Sequence, residues 1–282
     1  MKRFLKEISL FSALILVLYF LFYFLFLQFT LPRRNNAVYI WGDSQMYQDL
    51  DLASLNKNTR YHFYSSALHG AGLYDFFVFC ESVPENANVL VEISQHTIVR
   101  RKDMDRNYSA LNLHALYTLF KNNYSFNELS KIVNNNVVPH TLFIDKNEVY
   151  AAKDTLTLTE PISLFEAAYA TRPPCVQDKI NIYVSCLQLL NYKHCHIAGI
   201  VFPSHPILNK IEQGSSFYPE LLSFQAQMSR FFMQKDTVII PSNKNIFEDL
   251  THLNARGANY LSTEVAAKLN FSNPATLIYA TY

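Results

Sequence analysis

The chain carries almost no net charge: 24 lysines and arginines stand against 23 aspartates and glutamates, leaving +1. No basic run or stripe stands out, so the electrostatic footprint of a phosphate-backbone partner is missing and a nucleic-acid role is set aside. Cysteine is sparse too, with four residues at Cys80, Cys175, Cys186 and Cys195. None belongs to a Cys-x-x-Cys pair, and there is no His-Glu-x-x-His. His194-Cys195-His196 does not fill that gap, because on a strand the two imidazoles share one face and the thiol points to the other. No metal site and no cofactor is expected. Outside the cytosol a disulfide is allowed, and Cys175–Cys186 is then the expected pair.

A third absence bears on the N-terminus. Residues 8–31 contain no charged side chain and are dense in Leu and Phe, and about 20 apolar residues suffice to cross a bilayer core. No small-x-small cleavage pattern precedes Pro32, which favours an uncleaved transmembrane anchor over a signal peptide. Lys2, Arg3 and Lys6 lie before the segment and Arg33 and Arg34 after it. Together with the free amino terminus they place the N-terminus inside and the bulk of the chain outside, periplasmic or on the cell surface. Residues 1–35 thus read as cytoplasmic tip, anchor and short linker, and 36–282 as the working domain, held close to the bilayer surface.

What is present organises itself around Tyr39-Ile40-Trp41-Gly42-Asp43-Ser44. An apolar run with strand composition is broken by Gly42, and Ser44 stands where a helix begins. A serine on such a turn is lifted clear of the sheet beside free backbone N–H groups, which stabilise developing negative charge. Its hydroxyl needs a base, and the base needs a carboxylate to fix its tautomer. Phe247-Glu248-Asp249-Leu250-Thr251-His252 supplies both, three residues apart and hence on one side of a turn. The plainer alternatives are a capping serine and an Asp249 that caps the following helix, with His252 exposed.

Gly42-Asp43-Ser44 early and Asp249-x-x-His252-Leu253-Asn254-x-x-Gly257-Ala258 late resemble, in order, the first and last blocks of the SGNH or GDSL-type hydrolases. The resemblance implies that Ser44 is the nucleophile, His252 the base and Asp249 the orienting acid. It also implies an oxyanion-hole glycine, for which Gly70 or Gly72 of His69-Gly70-Ala71-Gly72 is suitably placed. The family's third block ends a strand with Gly-x-Asn-Asp, whereas this chain reads Val91-Glu92-Ile93-Ser94-Gln95-His96. Gln95 takes the asparagine's place as a donor. That departure resembles the membrane-tethered, acyl-transferring branch that modifies envelope polymers. An acylated glycan or other envelope polymer is then the expected substrate, with a membrane-embedded acyl-donor partner.

Apolar strands near 37–41, 59–65, 87–94, 196–202 and 236–241 alternate with helical stretches near 45–55, 72–82, 177–191, 216–234 and 258–268. This βαβ rhythm predicts an α/β domain. With the resemblance it becomes a flavodoxin-like three-layer sandwich around a parallel five-stranded sheet. Ser44, Gly70 and Gln95 each follow a strand, so they converge at the carboxyl edge where such sheets bind ligands. Residues 97–174 interrupt the rhythm as an insertion, either a lid or a packed subdomain with an aromatic core. Beside the site, His69 and His96 read as substrate contacts or strand ends, and His205 as a rival base without a local acid. The expected function is a serine esterase or O-acyltransferase; the alternative is a non-catalytic assembly protein that has kept the fold.

Overall fold

The computed structural model describes residues 9–21, 36–67, 69–99, 162–170, 176–240, 246–271 and 275–281. The chain divides into two units, 1–35 and 36–282. In the first, residues 9–21 form helix α1, whose apolar side chains stand exposed, Leu10 at 71% and Phe11 at 64%. Among the described residues no helix is long and apolar enough to cross a membrane. The expected span extends to residue 31, and its part from 22 onward lies outside the described residues.

The second unit is an α/β domain on one parallel sheet. Its strands are β1 (Ala37–Trp41), β2 (His62–Ser65), β3 (Asn88–Glu92), β4 (His196–Val201), β5 (Gln234–Ile239) and β6 (Thr276–Thr281), in the order β2-β1-β3-β4-β6-β5. The sheet therefore has six strands rather than the expected five. The addition enters between β4 and β5, and the reason lies in the side chains. β6 supplies Leu277 to one core and Ile278 and Ala280 to the other, whereas β5 opens with exposed Gln234 and Lys235. The two-faced apolar strand takes the interior and the charged one the edge, as parallel sheets require. Residues 236–239 of the strand expected over 236–241 belong to that edge; residue 241 lies outside the described residues.

Helices cover both faces. Helices α4 (Leu73–Ser82), α7 (Val176–Tyr192) and α9 (Tyr218–Phe231) pack Phe76, Tyr183 and Phe224 against Tyr39, Trp41 and Val91. Trp41 stacks on Phe76 with centroids 4.1 Å apart, and Tyr183 meets its edge. On the opposite face α2 (Ser44–Gln48), α3 (Leu52–Asn58) and α10 (Ala255–Lys268) bury Met46, Leu55 and Leu261 against Val38, Ile40 and Leu90. Successive strand residues thus alternate between two cores. A smaller cluster joins α6 (Ile162–Ala170) and α8 (Pro206–Gln213) through Tyr169, Leu208, Phe217 and Leu250.

Of the 97–174 insertion, the last turn of α5 (Gln95–Val99) and helix α6 are described. The aromatics at Tyr108, Tyr117, Phe120, Tyr124 and Phe126 lie outside the described residues. So does Cys175, the expected disulfide partner of Cys186. Cys186 itself is a free, buried thiol packed in the same core as Cys80 of α4. Its side chain faces the α4–α7 interface.

Candidate active site

The turn after β1 is built by carboxylates. Asp43 caps α2, its Oδ1 accepting the Gln45 N–H at 3.0 Å. From the neighbouring strand, Glu92 Oε2 accepts the N–H groups of Asp43 (2.8 Å) and Met46 (3.1 Å). A Cβ on Gly42 would run into Met46 Cβ and Glu92 Oε2, so the glycine is there for close approach. A helix start leaves four N–H groups without intrahelical acceptors. Here Gln45 gives its proton to Asp43 Oδ1, Met46 to Glu92, and Tyr47 to the Asp43 carbonyl at 3.1 Å. The Ser44 N–H is left without an acceptor among the described residues, on the residue whose hydroxyl is only partly buried.

Glu92 therefore has a definite task. An isolated carboxylate in an apolar strand is costly, but this one satisfies two buried donors of the turn. Burial first, then the proximity of Asp43, hold its carboxyl well above the usual range. The hydroxyl of Tyr183 donates to the Glu92 carbonyl, fixing the strand end from the other core.

Asp249 and His252 form the expected pair. Asp249 Oδ2 lies 2.8 Å from His252 Nδ1, while Oδ1 accepts the N–H groups of Thr251 and His252, both at 2.7 Å. Asp249 thus caps its own turn and orients the imidazole with one carboxylate. It does not cap the next helix: Asn254 does, accepting from Arg256 and Gly257 at 3.1 Å. Burial pulls the Asp249 carboxyl upward, but the hydrogen bond and charge of His252 and the two N–H groups outweigh it, and the pKa falls to about 2. Burial lowers His252 in turn, yet its bond to Asp249 and the charges of Asp49, Asp249 and Asp43 raise it to about 9.

Two bonds fasten the two segments together across some two hundred positions of chain. Gln45 Nε2 donates to the Thr251 carbonyl at 2.7 Å, and the Leu253 N–H donates to Asp49 Oδ1 at 3.0 Å. Gln45 and Asp49 are four apart and share one side of α2. Together they grip the residues immediately before and after His252. The residue next to Ser44 thus touches the residue next to His252. Ser44 Oγ and His252 Nε2 form no hydrogen bond, and the Nε2 atom is buried without a partner. Asp49 is fully buried, its Oδ2 likewise unpaired, and burial holds its carboxyl well above the usual range.

Of the two glycine candidates, Gly72 is occupied: its N–H donates to Asp75 Oδ2 at 2.9 Å, capping α4. Gly70, at φ 73°, remains. Beside it the His69 ring packs at a tilt against Tyr47, with centroids 4.6 Å apart. Burial, and then the charge of His252, lower its pKa, while Asp43 opposes them. Gln95 opens α5 at the carboxyl end of β3 and lines a cavity of about 380 Å³ together with Gln45. Neither Ser44 nor His252 lines that cavity, so it is a neighbour of the junction rather than its centre. His205 caps α8, its Nδ1 accepting the Ile207 N–H at 3.3 Å, which removes it as a base. His96 Nδ1 lies 3.3 Å from the Tyr169 hydroxyl, which donates to Glu212 Oε1 at 2.8 Å.

Sequence reasoning missed Glu92, Asp49 and Gln45 as parts of the site. The first had a readable signal, a lone carboxylate in a strand, while the others show only an (i, i+4) spacing that surface helices share. No protein-family model matches the chain, and no curated protein matches it either.

Proposed function

We propose that the protein is a serine esterase or O-acyltransferase of the SGNH type, with a flavodoxin-like sandwich tethered by a single N-terminal transmembrane helix and working outside the cytoplasm. The observation that carries this reading is the Asp249–His252 pair, whose Nε2 has no hydrogen-bond partner and whose flanking residues are tied to the Ser44 helix by Gln45 and Asp49. In the reaction Ser44 Oγ attacks an ester carbonyl and its proton passes to His252 Nε2. The N–H groups of Ser44 and Gly70, with Gln95 as a third donor, face the oxyanion. The carbon–oxygen bond to the leaving alcohol breaks, and the alcohol takes the proton from His252. Water or a second hydroxyl then repeats the sequence on the acyl-serine. Water makes the protein an esterase; a sugar hydroxyl makes it a transferase that takes its acyl group from a membrane-embedded donor. The substrate class is an acylated, chiefly acetylated, envelope glycan.

A second reading draws on the same imidazole: raised to about 9, it is protonated at neutral pH and is no base there. The protein would then be a non-catalytic binding or assembly factor. Turnover of an acetyl ester by the detergent-solubilised full chain separates the two. Wild type is expected to hydrolyse it, while Ser44→Ala and His252→Ala abolish turnover and retain the far-ultraviolet circular dichroism of the wild type. Equal residual turnover in all three overturns the enzyme reading.

A further inference from the structure

The 380 Å³ cavity lies at the carboxyl ends of β3, β4 and β6, beyond the residues that carry out the chemistry. Its size falls at the small end of ligand pockets, about 300–1,000 Å³. The position also continues the sheet's switch point: β1 connects outward to β2 while β3 and β4 build the other way, and Gln45 and Gln95 stand on either side.

Its wall has a consistent chemistry. Among the described residues, five carboxamides line it (Gln45, Gln95, Asn209, Gln213 and Gln225), no lysine or arginine does, and Glu212 is the single carboxylate. One lining group stands apart. Ser94 is 4% exposed and its Oγ has no hydrogen-bond partner. A buried hydroxyl left unsatisfied is costly, and its residue lines the cavity, so an occupant that reaches the Oγ would restore the bond.

We propose that this cavity binds the sugar residue of the ester, a neutral, hydroxyl-rich ligand, and so sets which esters the serine meets. The inference rests on the acyl-ester reading above. Sugar hydroxyls both donate and accept, as carboxamides and Ser94 do. Glu212, held by the Tyr169 hydroxyl, adds an acceptor of strong hydrogen bonds from hydroxyl donors. Tyr218 offers an aromatic face. Phosphate or carboxylate ligands fit poorly, because no lysine or arginine answers them among the described residues and Glu212 repels them. An extended peptide fits poorly for another reason: it docks on an unpaired strand edge, and β3, β4 and β6 are interior strands.

The test uses the full chain in detergent and two esters, p-nitrophenyl acetate and a 6-O-acetylated methyl glucoside. Gln225 is exposed on α9, so Gln225→Trp obstructs the cavity without touching a core. Ser94→Ala removes the unpartnered hydroxyl. Gln225→Trp is expected to lower kcat/KM for the sugar ester at least tenfold, and Ser94→Ala several-fold, mostly through KM. Each should change p-nitrophenyl acetate less than twofold. Equal losses on both esters, or no loss on either, overturn the proposal. Should neither ester turn over, the enzyme reading fails by itself, and saturation-transfer NMR with unacylated methyl glucoside decides the cavity. Binding that Gln225→Trp removes supports it; absence of binding to wild type overturns it.

Discussion

Replacing Glu92 tests whether the nucleophile turn is built as described. Its Oε2 receives two buried N–H groups, from Asp43 and Met46. Glu92→Leu strands both, and an unsatisfied buried donor costs about 1–3 kcal/mol, so the variant should lose about 2–6 kcal/mol. Domains of this kind are stable by only about 5–15 kcal/mol, so the loss is large. Glu92→Gln keeps an acceptor oxygen in place and should lose less than about 1.5 kcal/mol at low pH. The sign with pH is fixed as well. A carboxyl raised above its unfolded value of 4.5 binds its proton more tightly in the folded state. Wild-type stability therefore falls as pH rises above 4.5, and the amide variant should lack that decline. Urea denaturation followed by Trp41, the one tryptophan in the chain, reads β1 directly. Indistinguishable midpoints for the leucine and glutamine variants would refute the reasoning.

Other outcomes follow from the same geometry. The pH profile of kcat/KM for acetyl-ester hydrolysis should rise through an inflection at about 9, above the ordinary imidazole value of 6.5, since only neutral His252 takes a proton; a flat profile would contradict it. His252 also links to folding. Because its folded pKa lies above 6.5, its contribution is complete below that pH and disappears as pH rises through the folded value, which a pH series of urea melts measures. Asp249→Asn should lower kcat by about 10³–10⁴-fold with the fold intact, checked by steady-state kinetics and circular dichroism. Gly42→Ala forces a Cβ into Met46 and Glu92 and should cost about 1–3 kcal/mol in urea melts.

The segments legible in the sequence are those in which one physical signal acts alone. Val38, Ile40, Leu90 and Ile200 make continuous apolar runs, and every such run expected as a strand is one. Thr276–Thr281 is also apolar, but it follows the last expected helix and so falls outside the alternation of strands and helices. Its placement between β4 and β5 depends on competition with Lys235 and Asp236, which no local window contains. The stretch 45–55, expected as one helix, is two: Asp49 ends α2 to reach Leu253, and Asp51 caps α3 through Ala53 and Ser54. Asp249 and His252 were legible because their contact is local. The grip of Gln45 and Asp49 on that loop is a long-range contact between ordinary residue types, so only coordinates reveal it. The choice between Gly70 and Gly72 likewise depended on Asp75, whose side chain turns back to the Gly72 N–H.

The claim beneath the whole account is that Ser44 is activated by His252. Incubation of the full chain with a fluorophosphonate, followed by intact-mass and peptide mapping, addresses it most directly. The account predicts a single adduct on the peptide carrying Ser44, formed in wild type and lost on His252→Gln. An adduct at any other serine, or labelling of Ser44 at the same rate without the imidazole, would contradict it.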